Sequence, residues 1–226
     1  YGIGEGEMAQ RIKELIDKSS NPTIAPYAKE NDVTLRITAR ANTEKDALKL
    51  IKPLEDKVKN IFGDNIYGYG ETSMEEVVAK ILVERNLTIS TAESCTGGLI
   101  AAKFINYPGI SSVFLDGAVT YSNEAKMHRL NVKKETLDKF GAVSEETARE
   151  MAEGIAKTSG TDIGLSTTGI AGPDGGSEEK PVGLVYVGLY IKGDVFVKKL
   201  QLSGERNKVR NRAAVSAIDY LRRKLI

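Results

Sequence analysis

Thr91-Ala92-Glu93-Ser94-Cys95-Thr96-Gly97-Gly98 reads as the end of a strand, a tight turn and the opening of a helix. The strand runs from Leu87 to Ala92, where Thr88, Ile89 and Thr91 are β-branched. The helix is the apolar run Leu99-Ile100-Ala101-Ala102, continuing to Phe104 and Ile105. Thr96 is placed to cap that helix, and Gly97-Gly98 lets a ligand approach the bare N–H groups of its first turn. The Ser94 hydroxyl and the Cys95 thiol therefore fall where negative charge is favoured, which suits a nucleophile whose attack creates an oxyanion. Taken alone, the same turn serves as an ordinary helix cap, so the neighbouring segments must decide.

Downstream, helices and strands alternate. Ser112 to Tyr121 is strand-like, Ser122 caps a short helix holding Lys126, and Ser144 opens a longer helix from Glu145 to Lys157. Ile163 to Thr168 is a buried strand ending at Gly169. Gly183 to Ile191 is nearly all apolar, and Lys192-Gly193-Asp194 turns it into Val195 to Leu202, a hairpin pattern. A last helix starts near Glu205. Upstream, Ser73 and Glu76 make a capping box for a helix through Val77, Val78, Ile81 and Leu82. The pattern predicts a three-layer α/β/α domain over residues 73–226.

Residues 1–72 read differently. A helix from about Glu7 to Lys18 places Met8, Ile12, Leu15 and Ile16 on one face. A Pro-containing loop, Asn21 to Pro26, precedes the alternating strand Val33 to Ala39. Thr43 and Asp46 cap a helix through Leu48, Ile51, Leu54 and Val58 to Phe62; Gly63 ends it, and Ile66 to Tyr69 reads as a short strand. This is a small α+β unit.

The 226-residue chain is 41% hydrophobic and 28% charged, with a formal net charge of +1. That balance gives no electrostatic case for nucleic acid or an anionic membrane surface. One cysteine excludes an intrachain disulfide and a cysteine zinc site; one histidine, His128, excludes a histidine-cluster metal site. No apolar run is long enough to span a bilayer and no signal peptide opens the chain, so a cytoplasmic location is expected. The chain opens at Tyr1 rather than Met, which reads as a fragment or processed product.

Two further segments carry chemistry. In Thr120-Tyr121-Ser122-Asn123-Glu124-Ala125-Lys126, the lysine falls early in a helix, where the dipole disfavours a cation. Burial there would lower its pKa, and a neutral lysine is a general base; in solvent it would be an ordinary surface lysine. His128, two positions on, faces away from it. In Ser166-Thr167-Thr168-Gly169-Ile170-Ala171-Gly172-Pro173-Asp174-Gly175-Gly176, a buried strand runs into a long glycine-rich loop, costly unless it binds something. It lacks the Walker Lys-Ser/Thr ending and the GxGxxG spacing. Arg206, in the first turn of the last helix, opposes the dipole and could hold an anion.

Together, TAESCTGG (Thr91–Gly98), VTYSNEAK (Val119–Lys126), GAVSE (Gly141–Glu145) and TGIAGPDGGSEEKPVG (Thr168–Gly183) resemble the CinA C-terminal domain, a family that includes nicotinamide mononucleotide amidohydrolases. The first region, with Asn21-Pro22-Thr23-Ile24-Ala25-Pro26-Tyr27, resembles the KH-like middle module of CinA proteins. The molybdopterin-binding-like N-terminal domain of that family is expected to be absent, and with it any pyrophosphatase activity housed there. The resemblance implies hydrolysis of the mononucleotide's carboxamide to nicotinate mononucleotide and ammonia by a Ser/Lys pair: Ser94 as nucleophile and Lys126 as base, with Tyr121 hydrogen-bonding the pair or stacking on the ring. It implies a substrate site built from Thr96, Gly97, Gly98, Asn123, Thr168, Gly169, Ala171, Gly172 and Arg206, with the Thr96-Gly97-Gly98 turn as oxyanion hole. Neither metal nor cofactor is required, and a homo-oligomer is expected. Cys95 is the rival nucleophile; in an extended segment it faces away from Ser94 and reads as a packed apolar residue. The alternative function is a non-enzymatic interaction protein linked to competence, DNA damage and the recombination machinery.

Overall fold

Residues 1–28 and 32–226 are described by a computed structural model, in which the chain forms two units, Tyr1–Tyr69 and Gly70–Ile226. In the first, α1 (Glu5–Arg11) and α2 (Lys13–Lys18) replace the single helix expected. The break falls at Ile12 (φ −107°, ψ 9°), whose side chain is fully buried in the core with Met8. β1 (Thr23–Ala28) is a strand where a loop was expected, and it pairs antiparallel with β2 (Val33–Thr38). Pro26 faces Leu35 in this ladder; a two-stranded sheet has only edges, so a residue without an N–H is tolerated there. α3 (Glu44–Phe62) is capped by Thr43, whose Oγ1 accepts from the Asp46 amide at 3.2 Å, and packs Leu54, Val58 and Phe62 into the same core. Ile66 to Tyr69, expected as a strand, follows a short 3₁₀ turn and pairs with neither strand; Ile66 instead packs against the core.

The second unit opens with α4 (Met74–Glu84) and the Ser73/Glu76 capping box. It continues with β3 (Ile89–Glu93), α5 (Leu99–Ile105), β4 (Phe114–Val119), α6 (Asn123–Leu130), α7 (Lys134–Phe140), α8 (Glu145–Ser159), β5 (Ile163–Gly169), the hairpin β6 (Leu184–Ile191) and β7 (Asp194–Gln201), and α9 (Arg206–Leu225). The sheet order is β4-β3-β5-β6-β7. β3 is parallel to both its neighbours, and β6 and β7 run antiparallel. α8 lies across one face of the sheet, with α6 and α7 packed on it; α9 covers the other, against α4 and α5. This is the expected three-layer α/β/α arrangement.

Two glycines set how tightly α8 is seated. A Cβ on Gly154 would lie 1.9 Å from the Leu130 carbonyl oxygen at the end of α6, and one on Gly188 of β6 would lie 2.1 Å from the Ala148 carbonyl oxygen. Any side chain at either place would hold the layers apart.

From β3 the chain crosses to β4 on one side and returns to β5 on the other. Glu93 is level with Val119 and with Thr167, so three parallel strands end side by side. The crevice outside such carboxyl ends is where open α/β sheets bind ligands.

Candidate active site

The turn after β3 brings Ser94 to the mouth of this crevice. Its amide donates to the Thr167 carbonyl oxygen at 2.9 Å, and its side chain is 8% exposed. The turn after β4 brings Lys126. Ser122 caps α6 by accepting from the Ala125 amide at 3.1 Å, and the first turn carries Lys126 inward to 1% exposure. Lys126 Nζ lies 3.1 Å from Ser94 Oγ, 2.9 Å from the Thr120 carbonyl oxygen and 3.0 Å from that of Tyr121. A neutral amine has two N–H donors and one lone pair. Donated to the two carbonyls, those N–H groups leave the lone pair for the Ser94 hydroxyl. Burial, which disfavours the ammonium, brings the Lys126 pKa down to about 8, and the Cys95 thiol opposes this slightly.

Around the pair lies a cleft of about 260 Å³, near the lower end of the range for small-molecule sites, roughly 300–1,000 Å³. Of the residues expected from the sequence, it gathers Ser94, Lys126, Tyr121, Thr168, Gly169, Ala171, Gly172 and Arg206. Thr168 Oγ1 donates to the Ala142 carbonyl oxygen at 2.6 Å. Arg206 spans the opening, donating to the Gly172 carbonyl oxygen at 2.7 Å and to the Tyr121 hydroxyl at 3.3 Å. Cys95 also reaches the cleft, but it is 6% exposed among Ala171, Val185, Val209 and Ala213, and burial pushes its thiol up to about 12. His128 is not among the lining residues.

Thr96, Gly97, Gly98 and Asn123 do not line the cleft, contrary to expectation. Thr96 does not cap α5: its Oγ1 is spent on Thr167 Oγ1 at 2.6 Å, and Gly98 (φ +94°) occupies the cap position without a side-chain bond. Three of the amides expected to be free at the start of α5 are already taken. Glu93, 1% exposed, accepts from the amides of Gly98 at 3.0 Å, Ile100 at 3.1 Å and Ala101 at 2.9 Å. The anion at this helix start belongs to the chain itself, so the Gly98 amide is not free to hold an oxyanion.

Four groups escaped the sequence reading. Glu93 is one. Arg210 is another, donating from α9 to the Cys95 carbonyl oxygen at 3.1 Å and the Thr96 carbonyl oxygen at 2.9 Å. Thr167 and Thr120 hold Ser94 and Lys126 through main-chain carbonyls. A carboxylate a few residues ahead of unpaired helix amides was a readable signal for Glu93. Nothing local in the sequence points from Arg210 to a turn more than a hundred residues away.

Fold and site thus define a class: a three-layer α/β domain with a buried serine–lysine pair at the carboxyl end of its central parallel strands. Residues 71–225 match the family model of the CinA C-terminal domain, and residues 1–68 match that of the damage-inducible protein CinA KH domain. The chain belongs to the CinA family. It is 64% identical over 224 residues, 99% of its length, to a competence-damage inducible protein of Clostridium botulinum, of which it covers 55%. A Clostridium acetobutylicum relative of the same name is 62% identical over 225 residues, covering 100% of this chain and 55% of that protein. The chain thus spans about half the length of the curated relatives it matches. Among solved structures, it is similar to the competence/damage inducible protein CihA of Agrobacterium tumefaciens (39% identity, TM-score 0.64, covering 69% of this chain and 98% of that one). It is also similar to a CinA superfamily protein of Klebsiella pneumoniae (36% identity, TM-score 0.65, covering 67% and 95%). Among the described residues no helix is long and apolar enough to cross a membrane, and no group of three or more His, Cys, Asp or Glu could hold a metal.

Proposed function

We propose that the second region, residues 73–226, hydrolyses the carboxamide of nicotinamide mononucleotide to nicotinate mononucleotide and ammonia through a Ser94 acyl-enzyme. The observation that carries this reading is the 3.1 Å contact between a buried, depressed-pKa lysine amine and a serine hydroxyl at the cleft. Lys126 takes the Ser94 proton as the oxygen adds to the carboxamide carbon. The tetrahedral oxyanion is held by the amide of Cys95, which follows the nucleophile and lines the cleft. Lys126 then returns the proton to the departing nitrogen, which leaves as ammonia. A water molecule, deprotonated by the same amine, adds to the acyl carbon and releases nicotinate mononucleotide and the Ser94 hydroxyl. Tyr121 and the Thr168–Gly172 loop seat the ring and ribose, and Arg206 faces the phosphate. Residues 1–72 form a KH-like module with no assigned part in this chemistry.

The test is direct. Incubation with nicotinamide mononucleotide releases ammonia and nicotinate mononucleotide from the unaltered protein and from neither Ser94→Ala nor Lys126→Ala. Equal release from all three refutes the reading. The relatives' names favour one second reading, an interaction protein in competence and DNA-damage responses. No ammonia over long incubation, together with specific capture of a recombination protein, would select it.

A further inference from the structure

Ser94 is held from behind as well as approached from in front. Its neighbour Glu93 ends β3 and is buried at 1% exposure. One carboxylate oxygen, Oε2, accepts from Gly98 and Ile100, and the other, Oε1, accepts from Ala101. These three bonds tie the residue before Ser94 to the far end of the turn that carries it. They are charge-assisted, and they take up amides that a helix start otherwise leaves open. The remaining anchors of the turn, the Ser94 amide on Thr167 and Arg210 on the Cys95 and Thr96 carbonyls, lie beyond Glu93 in the chain. Among the described residues, Glu93 supplies the hydrogen bonds that link the strand end to α5.

We infer that Glu93 is a positioning residue: its buried carboxylate, clasping the first amides of α5, fixes the Ser94 hydroxyl at attack distance from substrate and in line with Lys126. The inference rests on the reading of Ser94 as nucleophile. A carboxylate that serves only folding affects how much protein is folded. One that positions the nucleophile also affects the rate of each folded molecule, because a misplacement of about 1 Å can cost about 100-fold in rate.

Glu93→Gln keeps the shape but turns an N–H₂ group toward amide donors. Glu93→Asp keeps the charge but falls one methylene short of α5. Two measurements are made on the 226-residue chain at a temperature where circular dichroism shows every variant folded. One is steady-state ammonia release from nicotinamide mononucleotide. The other is the rate at which a fluorophosphonate, a serine-directed reagent needing no nucleotide recognition, labels Ser94. For both variants we expect kcat and the labelling rate to fall by about 10- to 100-fold, with KM changed by less than about twofold. Should Glu93→Gln not fold, Glu93→Asp carries the test. Wild-type labelling and turnover in the folded variants, with only a lower Tm, overturn the inference and leave the amidase reading standing. Absence of Ser94 labelling in the unaltered protein, with Ser94→Ala as control, overturns both. Wild-type labelling without ammonia release overturns the nucleotide substrate alone, and the variants' slower labelling still supports the role of Glu93.

Discussion

The two units solve burial in opposite ways. In residues 1–69 every buried side chain among those described is apolar: Met8, Ile12, Ile24, Leu54, Val58 and Phe62. The second unit buries ionisable groups as well, among them Glu93, Lys126, Asp219 and Arg222. Asp219 and Arg222 neutralise each other at 2.8 Å, and Glu93 is met by three amides. Lys126 meets only neutral oxygens. Burying an ammonium without a counter-ion is costly, and the group responds by giving up its proton more readily. The first unit is organised for cohesion. The second buries one amine without a counter-ion, which is what the proposed general base requires.

Six experiments sharpen or break that contrast. The largest effect is expected for Ser94→Ala, which should lower ammonia release by about 10³-fold or more while leaving the melting curve unchanged. Lys126→Met should cost nearly as much. In the unaltered protein kcat/KM should climb as pH rises through about 8, where the amine loses its proton, and then level off. The same shift sets a stability trend. Unfolded, Lys126 keeps its proton up to its ordinary pKa near 10.4; folded, it has released it above about 8. The unfolded state therefore binds more protons between these values, and stability rises with pH across that window. Relative to Lys126→Met, the unaltered protein should gain about 3 kcal/mol between pH 8 and 10.5, read by urea titration. A flat difference would mean the amine is not desolvated.

Phe62→Ala tests the other unit. It should cost that core about 3–5 kcal/mol, seen as faster amide exchange in α1 to α3 with β5 and α8 still protected. Ammonia release should be unchanged; a parallel loss would tie the first unit to catalysis. The smallest effect belongs to Cys95→Ala. A thiol raised to about 12 is no nucleophile at neutral pH, so kcat should stay within about threefold and iodoacetamide should not label the native protein.

Much of this was readable from the chain. Ser73, Ser122 and Ser144 announced their helices because a cap is a local device, and the alternation through β3 to β7 announced the layers. The Ser94–Lys126 pairing came from a family resemblance; spacing along the chain could not give a contact made only when strand ends align. β1 was missed because Pro26 argues against a strand, and only the partner strand shows that its missing N–H costs nothing there. Ile12 breaks its helix for a packing reason invisible to periodicity. The start of α5 was misread because its cap is no hydroxyl at the helix boundary but a carboxylate five residues before Gly98.

The seating of α8 has a mechanical consequence. Lys126 rides on α6, α6 rests on α8 at Gly154, and α8 rests on the sheet at Gly188, so the spacing of amine and hydroxyl is gauged by a stack of parts in bare contact. One methyl group at Gly154, far along the chain from either reacting atom, acts as a shim. Gly154→Ala should lift α6 and widen the 3.1 Å gap, detuning the chemistry without touching it.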